Sequence, residues 1–256
     1  MKKEAKQNPP NNMVAIASGK GGVGKTWLSI TLASLVARSN RRVLLFDGDL
    51  GLANVDIQLG LTPTKDISYV TSGKAKLKDV ITRFDAGGFD IIAGRSGSGS
   101  LATLGIDTLA NLITDLKELS KSYDLVIIDL GAGVEAHVRY LAAECSRSIV
   151  VVTDEPTSLT DAYAFIKIAK NQSPHMDIKV VVNQASTQNE GEKTFETLKK
   201  ACMNFLKYTP QCLGIVRRDP KVKEAIRSQT LLVVRSPNTI AATDTAAIAL
   251  KLINGV

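Results

Sequence analysis

The chain has 256 residues, of which 44% are apolar and 22% charged, and its 32 lysines and arginines outnumber 25 aspartates and glutamates to give a net charge of +7. That balance excludes a disordered polyelectrolyte, and no run approaches the roughly 18–20 apolar residues needed to cross a bilayer. Cys145, Cys202 and Cys212, with His137 and His175, share no metal-ligand spacing. A zinc site and a disulfide scaffold are therefore set aside, and a reducing, cytoplasmic compartment is favoured. The positive excess admits DNA, RNA, acidic lipid and nucleotide as partners without choosing among them.

Residues 1–12, MKKEAKQNPPNN, are polar, lack the apolar segment of a secretory signal, and read as a disordered arm ahead of one domain over 13–256. An apolar strand MVAIAS (13–18) comes first, then a helical pattern from Trp27 to Arg38 and a second strand RVLLFD (42–47). FDIIAG (89–94) is a third strand, and GRSGSGS (94–100) after it reads as a mobile loop at the sheet's carboxyl edge. Helical periodicity over Asp107–Ser122 leads into the strand DLVIID (124–129) and a helix over Glu135–Glu144. SIVVVT (148–153), a helix from Leu159 to Lys170, IKVVVN (178–183), a helix from Lys193 to Lys207 and CLGIV (212–216) follow. The basic clusters Lys199-Lys200, Arg217-Arg218 and Lys221/Lys223/Arg227 suit a solvated helix face better than a nucleic-acid site. The last stretch, TIAATDTAAIALKLINGV, has Lys251 as its only cation and reads as a helix closing the core rather than a membrane anchor. Strands with continuous apolar runs, alternating with helices, predict a single α/β domain: a mostly parallel sheet with helices on both faces.

Polar residues gather where the strands end: Ser18-Gly19-Lys20, Asp47-Gly48-Asp49, Asp129 and Asn183. Ligands of open α/β sheets bind at that edge. Gly19-Lys20-Gly21-Gly22-Val23-Gly24-Lys25-Thr26 satisfies G-x-x-x-x-G-K-[ST] between a strand and a helix, which makes the domain a P-loop NTPase. Its glycines let successive N–H groups face an anion, Lys25 reaches the β- and γ-phosphates, and the Thr26 hydroxyl binds Mg²⁺. Trp27 closes the run, with a ring better suited to packing the helix on the sheet than to stacking on a base. Asp129 ends an apolar strand as a Walker B carboxylate does, and Gly131-Ala132-Gly133 allow the backbone to move towards a γ-phosphate. Asp47 and Asp49 put two carboxylates on one side of an extended segment, one to orient water and one to support the metal shell.

The run K-G-G-V-G-K-T, with Lys20 inside the P-loop, resembles the deviant Walker A motif of the MinD/ParA family of dimerising ATPases, and the resemblance extends over residues 13–252. It implies ATP and ADP as ligands with Mg²⁺, and an ATP-bound homodimer in which Lys20 reaches the partner's phosphates. By the same resemblance Asp49 positions the attacking water and joins the metal site with Thr26 and Asp129. Asn54 is the switch I asparagine, Asn183 reads adenine, and Arg217 and Asp219 lie beside the base, Arg217 standing where the family usually has proline. DGDLGLANVDIQLGL (47–61) and RRDPKVKEAIRSQTLLVVRSPNT (217–239) are similar to the FlhG (FleN) branch, which regulates flagellar number and placement. That branch implies a protein activator or a flagellar or polar partner, an SRP-type GTPase among them, with slow turnover in its absence. The alternative is a ParA-type partition ATPase whose ATP dimer holds DNA non-specifically. The first residues lack the activating segment common in FlhG proteins, and association with a membrane or cell pole needs a device other than the last helix.

Overall fold

A computed structural model describes residues 12–49, 51–94 and 105–254. The expected arm over 1–12 and the expected mobile loop over 94–100 lie almost wholly outside them. Eight strands form one sheet in the order β3-β4-β2-β5-β1-β6-β7-β8. They are β1 (Met13–Ser18), β2 (Val43–Gly48), β3 (Ile81–Phe84), β4 (Phe89–Ile92), β5 (Leu125–Ala132), β6 (Arg147–Val152), β7 (Asp177–Ala185) and β8 (Gln211–Arg217). Every pairing is parallel except β3 with β4. β3 is the strand that sequence patterning misses: its four residues, Ile-Thr-Arg-Phe, are too short and too polar to stand out. It pairs through the tight turn before β4, which also stacks Phe84 on Phe89 edge to face.

Side chains alternate across each strand, so one sequence supplies two cores. Met13, Ala15 and Ala17 face a cluster completed by α4 (Ile106–Ser120), α5 (Ala136–Ala143), α6 (Pro156–Gln172) and α7 (Gln188–Leu206). Val14 and Ile16 face a second cluster, built from α1 (Lys25–Ala37), the short α2 (Val55–Leu59), α8 (Pro220–Arg227), α9 (Leu232–Arg235) and α10 (Ile240–Ile253). One further short helix, α3 (Ile67–Thr71), lies on the first side. Layers on both faces explain why strands such as β2 and β6 are buried almost throughout and read as unbroken apolar runs. α1 buries residues on every side, from Leu28 to Val36, because the sheet, α10 and α9 enclose it. α10 packs on β8 and α1 through Ala241, Ala242, Thr245, Ile248 and Ala249, and Lys251 turns back to the Leu213 carbonyl at 2.7 Å. The expected core-closing role of the last helix is therefore what the fold contains. Among the described residues no helix is long and apolar enough to cross a membrane.

β1 lies between β5 and β6, and the chain leaves it in one direction through α1 to β2 and returns on the other side through β6. The crevice beyond its carboxyl end is where such sheets bind ligands.

Burial pushes all three thiols up, Cys202 to about 11, but Cys145 and Cys202 are buried while Cys212 is only partly covered, so access separates them. Because the thiolate is the reactive form, iodoacetamide at pH 7.5 is expected to label Cys212 first in the native protein. Cys145 and Cys202 should react at comparable rates only in urea. Mass spectrometry of tryptic peptides gives the order, and early labelling of Cys145 would contradict this packing.

Candidate functional site

The site begins where β1 ends and α1 starts. Gly22 and Gly24 have φ of +79° and +92°, so this turn needs residues without a Cβ penalty. A Cβ on Gly21 or Gly22 would meet no atom within 4 Å, which leaves the mouth of the loop open. Gly19 and Gly24 are needed for close approach instead. A Cβ there would fall 2.2 Å from the Asp161 backbone carbon and 2.4 Å from Asn183 Nδ2 respectively. Ser18 Oγ donates to the Lys20 carbonyl at 2.6 Å and fixes the loop's first corner.

Lys25 opens α1 and is only 8% exposed; burial lowers its ammonium pKa, while Asp129 and Asp49 hold it up. Asp129, 1% exposed on β5, has its carboxyl pushed up to about 6 by burial, against hydrogen bonds from Thr26 and Ser29 and the charge of Lys25. The Ser29 hydroxyl donates to it at 2.8 Å. Ser29 lies four residues after Lys25, on the same helix face, and helical spacing is the signal that finds it. Asp49 faces the start of the Gly131–Gly133 segment: a Cβ on Gly131 would lie 3.3 Å from its Oδ1. Lys25, Thr26, Asp49 and Asp129 thus come together as the sequence predicts. The Thr26 hydroxyl and the two carboxylates are hard oxygen donors of the type Mg²⁺ takes. β5 continues past Asp129 to Ala132, and Gly133, at φ +99°, donates from its amide to the Ser18 carbonyl at 2.9 Å. The flexible-backbone segment is tied to the P-loop's own strand.

Asp47, the other half of the D-x-D pair, turns into the protein. It is fully buried, and its carboxylate accepts from the amides of Asp49 at 3.2 Å and of Asn54 and Val55 at 3.1 Å. Burial and the Asp129 charge push its carboxyl up to about 8. Its part is to staple the loop that carries Asp49 and Asn54 onto the end of β2. Asp49 itself accepts from the Gly51 and Leu52 amides at 3.3 and 2.9 Å, and the Asn54 amide bonds the Leu52 carbonyl.

Several expected ligand contacts are made within the protein in this conformation. Asn183 is 4% exposed, and its amide donates to the Val23 carbonyl at 2.8 Å, bracing the P-loop from β7. Gln184, at φ +59°, adds a bond of 3.3 Å to the Gly22 carbonyl. The Arg217 guanidinium forms a two-point pair with Asp244 on α10, at 2.9 and 2.7 Å. Asp219 caps α8, accepting from the Lys221 amide at 2.9 Å and the Ala241 amide at 3.3 Å. Trp27 is 6% exposed and packs in the α1–α2–α9 core. Lys20 pairs with Glu155 and donates to Thr157 Oγ1 at 2.9 Å, both at the start of α6. Sequence spacing could not have linked Asn183 to Val23, Lys20 to Thr157 or Arg217 to Asp244, which lie 160, 137 and 27 residues apart.

A glycine cradle at the head of a helix, a buried lysine between two carboxylates and a hydroxyl beside them, at the switch point of a parallel sheet, define a P-loop nucleotide-binding protein. The chain belongs to the CobQ/CobB/MinD/ParA nucleotide-binding-domain family, whose profile matches residues 14–233. It is 36% identical to the antiactivator FleN of Pseudomonas aeruginosa over 243 residues, covering 95% of this chain and 86% of that protein. It is 32% identical to the flagellum site-determining protein YlxH of Helicobacter pylori over 229 residues, covering 89% and 76%. In fold it matches the septum site-determining protein MinD of Pyrococcus horikoshii, solved with Mg-ADP, at a TM-score of 0.81 and 23% identity, covering 94% and 95%.

Proposed function

We propose that this protein is an ATP-dependent molecular switch that binds and slowly hydrolyses ATP, dimerises when ATP-bound, and regulates flagellar number or placement or the positioning of a cell pole or division site. The buried Lys25 between Asp129 and Asp49, below an open glycine loop, is the observation that carries the ATPase reading. The flagellar role is supported by the likeness to FleN and YlxH along most of the chain. Lys25 balances phosphate charge, Gly21 to Gly24 offer backbone N–H groups, and Asp49 orients the attacking water. Bound Mg²⁺, held by Thr26, Asp129 and Asp49, would supply charge neutralisation at the phosphates. Lys20 reaches the partner's phosphates in the dimer, which requires it to leave Glu155 and Thr157. Asn183 reads the base once its amide leaves the Val23 carbonyl, and Arg217 and Asp219 frame it. Turnover is slow until a protein activator or a flagellar or polar partner, such as an SRP-type GTPase, completes the site. The protein works in the cytoplasm, at the membrane or the cell pole.

Light scattering after gel filtration tests this reading. The Asp49→Ala protein is expected to run as a dimer with ATP and Mg²⁺ and as a monomer with ADP. Lys20→Ala should bind ATP and stay monomeric. A Lys20→Ala dimer would remove the cross-subunit role of that lysine. DNA retention of the Asp49→Ala protein at near-physiological salt supplies a second arm. Retention with ATP but not ADP would favour a partition ATPase; Arg218, Lys221, Lys223 and Arg227, exposed along α8, are the cations that reading would use.

A further inference from the structure

The loop that Asp47 staples runs into α2, and the far end of α2 rests on the turn that closes α8. Two left-handed residues meet there, Gly60 at φ +64° and Gln229 at φ +52°. The Gln229 side-chain amide donates to the Ile57 carbonyl at 2.9 Å, which the Gly60 amide also reaches at 3.3 Å, so Gln229 adds a second, cross-element bond to the cap of α2. A Cβ on Gly60 would lie 2.8 Å from Gln229 Oε1 and 3.1 Å from its Cβ, so the two turns approach closely.

Gln229 also ends α8. Its amide donates to the Ile226 carbonyl and that of Thr230 to the Ala225 carbonyl, each at 3.0 Å. The left-handed position of such a helix-ending turn ordinarily takes glycine or asparagine. A glutamine here accepts a backbone penalty that nothing in α8 explains, while its side chain reaches another element. Beneath the contact, Leu59 of α2, Trp27 of α1 and Ile226, Leu231 and Leu232 of the α8–α9 region wall a cavity of about 10 Å³, room for a single water. Trp27 directly follows Thr26. The α8 side of the joint is itself held firmly: Asp219 caps α8 and bonds the start of α10, and Arg217 pairs with Asp244.

We propose that Gln229 is a positioning residue for hydrolysis: it clamps the end of α2 to the α8–α9 turn and so sets the register of the Asp49–Asn54 loop. The proposal rests on the reading of Asp49 as the residue that orients the attacking water. Gln229 touches no substrate; it acts through α2, whose other end is fixed by the Asp47 carboxylate. A loop anchored at both ends holds its carboxylate in place without reorganisation when the phosphates arrive.

Two variants of the full chain separate this role from a merely structural one. Gln229→Glu keeps the length and removes the donor. Gln229→Gly removes the side chain and relieves the left-handed backbone, so its melting temperature should equal or exceed that of the parent. In both, amide hydrogen exchange of the peptide covering 51–61, measured without nucleotide, should rise about fivefold, the factor one net hydrogen bond contributes. The kcat for ATP should fall by at least about that factor, with ATP affinity unchanged because the P-loop is untouched. Unchanged exchange in both variants overturns the clamp. Faster exchange with unchanged kcat overturns the positioning role. If the parent protein hydrolyses no ATP, the ATPase reading and the positioning role fall together, while the exchange rates still decide whether Gln229 holds α2.

Discussion

Lys25→Ala is expected to bind ATP at least about a thousandfold more weakly than the parent protein, the largest effect of any single substitution in the site. An ammonium about 4 Å from a phosphate oxygen is worth about 4 kcal/mol at an effective dielectric of 20. That is roughly three decades of affinity. Lys25 is the only lysine buried at the glycine loop among the described residues, and Lys20 is engaged at the start of α6, so no second cation stands ready to replace it. The same substitution should leave the fold intact with a modest loss of stability. It removes a charge that burial disfavours, and the Asp129 carboxyl, which loses its cation, still accepts from Thr26 and Ser29. Calorimetric titration with ATP and Mg²⁺, run beside a thermal melt, measures both quantities. Binding within tenfold of the parent in a folded variant would take the P-loop out of nucleotide binding.

Lys25 was legible from sequence because its place depends on seven neighbours along the chain and on the strand and helix that flank them. The glycines, the lysine and the threonine of such a loop fix one another's geometry locally. The seven apolar strands, and the longer helices between them, were legible for a similar reason: each carries its own local pattern. What stayed hidden depends on pairing across the chain. β3 exists because β4 is beside it, and α9, four residues long, is too short for helical periodicity to be decisive. Nothing in the sequence pairs Arg217 with another residue, and only the fold shows Asp244 on α10 as its partner. Asn183 looks like a ligand-facing residue at a strand end, yet the neighbouring P-loop carbonyl of Val23 takes its amide. A residue type states which hydrogen bonds it can make; the tertiary structure decides which partner is within reach.

Asp47 makes that distinction measurable. As one half of D-x-D it looks interchangeable with Asp49, but the structure gives the two opposite tasks, one holding the loop and the other presented by it. Asp47→Ala would leave the Asn54 and Val55 amides and that of Asp49 without their acceptor at the buried end of β2. Each buried donor stripped of its partner costs about 1–3 kcal/mol, and partial relaxation of an exposed loop brings the expected total to about 3 kcal/mol. Asp47→Asn should cost about 1 kcal/mol, because an amide oxygen still accepts while the amino group faces a donor it cannot satisfy. The neutral side chain also suits a carboxyl that burial and Asp129 already push up to about 8. Urea unfolding gives the stabilities, and hydrolysis measured on folded protein gives the function. Both variants should keep ATP binding, since Lys25 and the glycine loop are untouched, and both should lose turnover as the Asp49–Asn54 loop loosens. An Asp47→Ala protein as stable as the parent would mean that the loop is held by something other than this carboxylate. An Asp47→Ala protein with parental turnover would free Asp49 from any dependence on the staple.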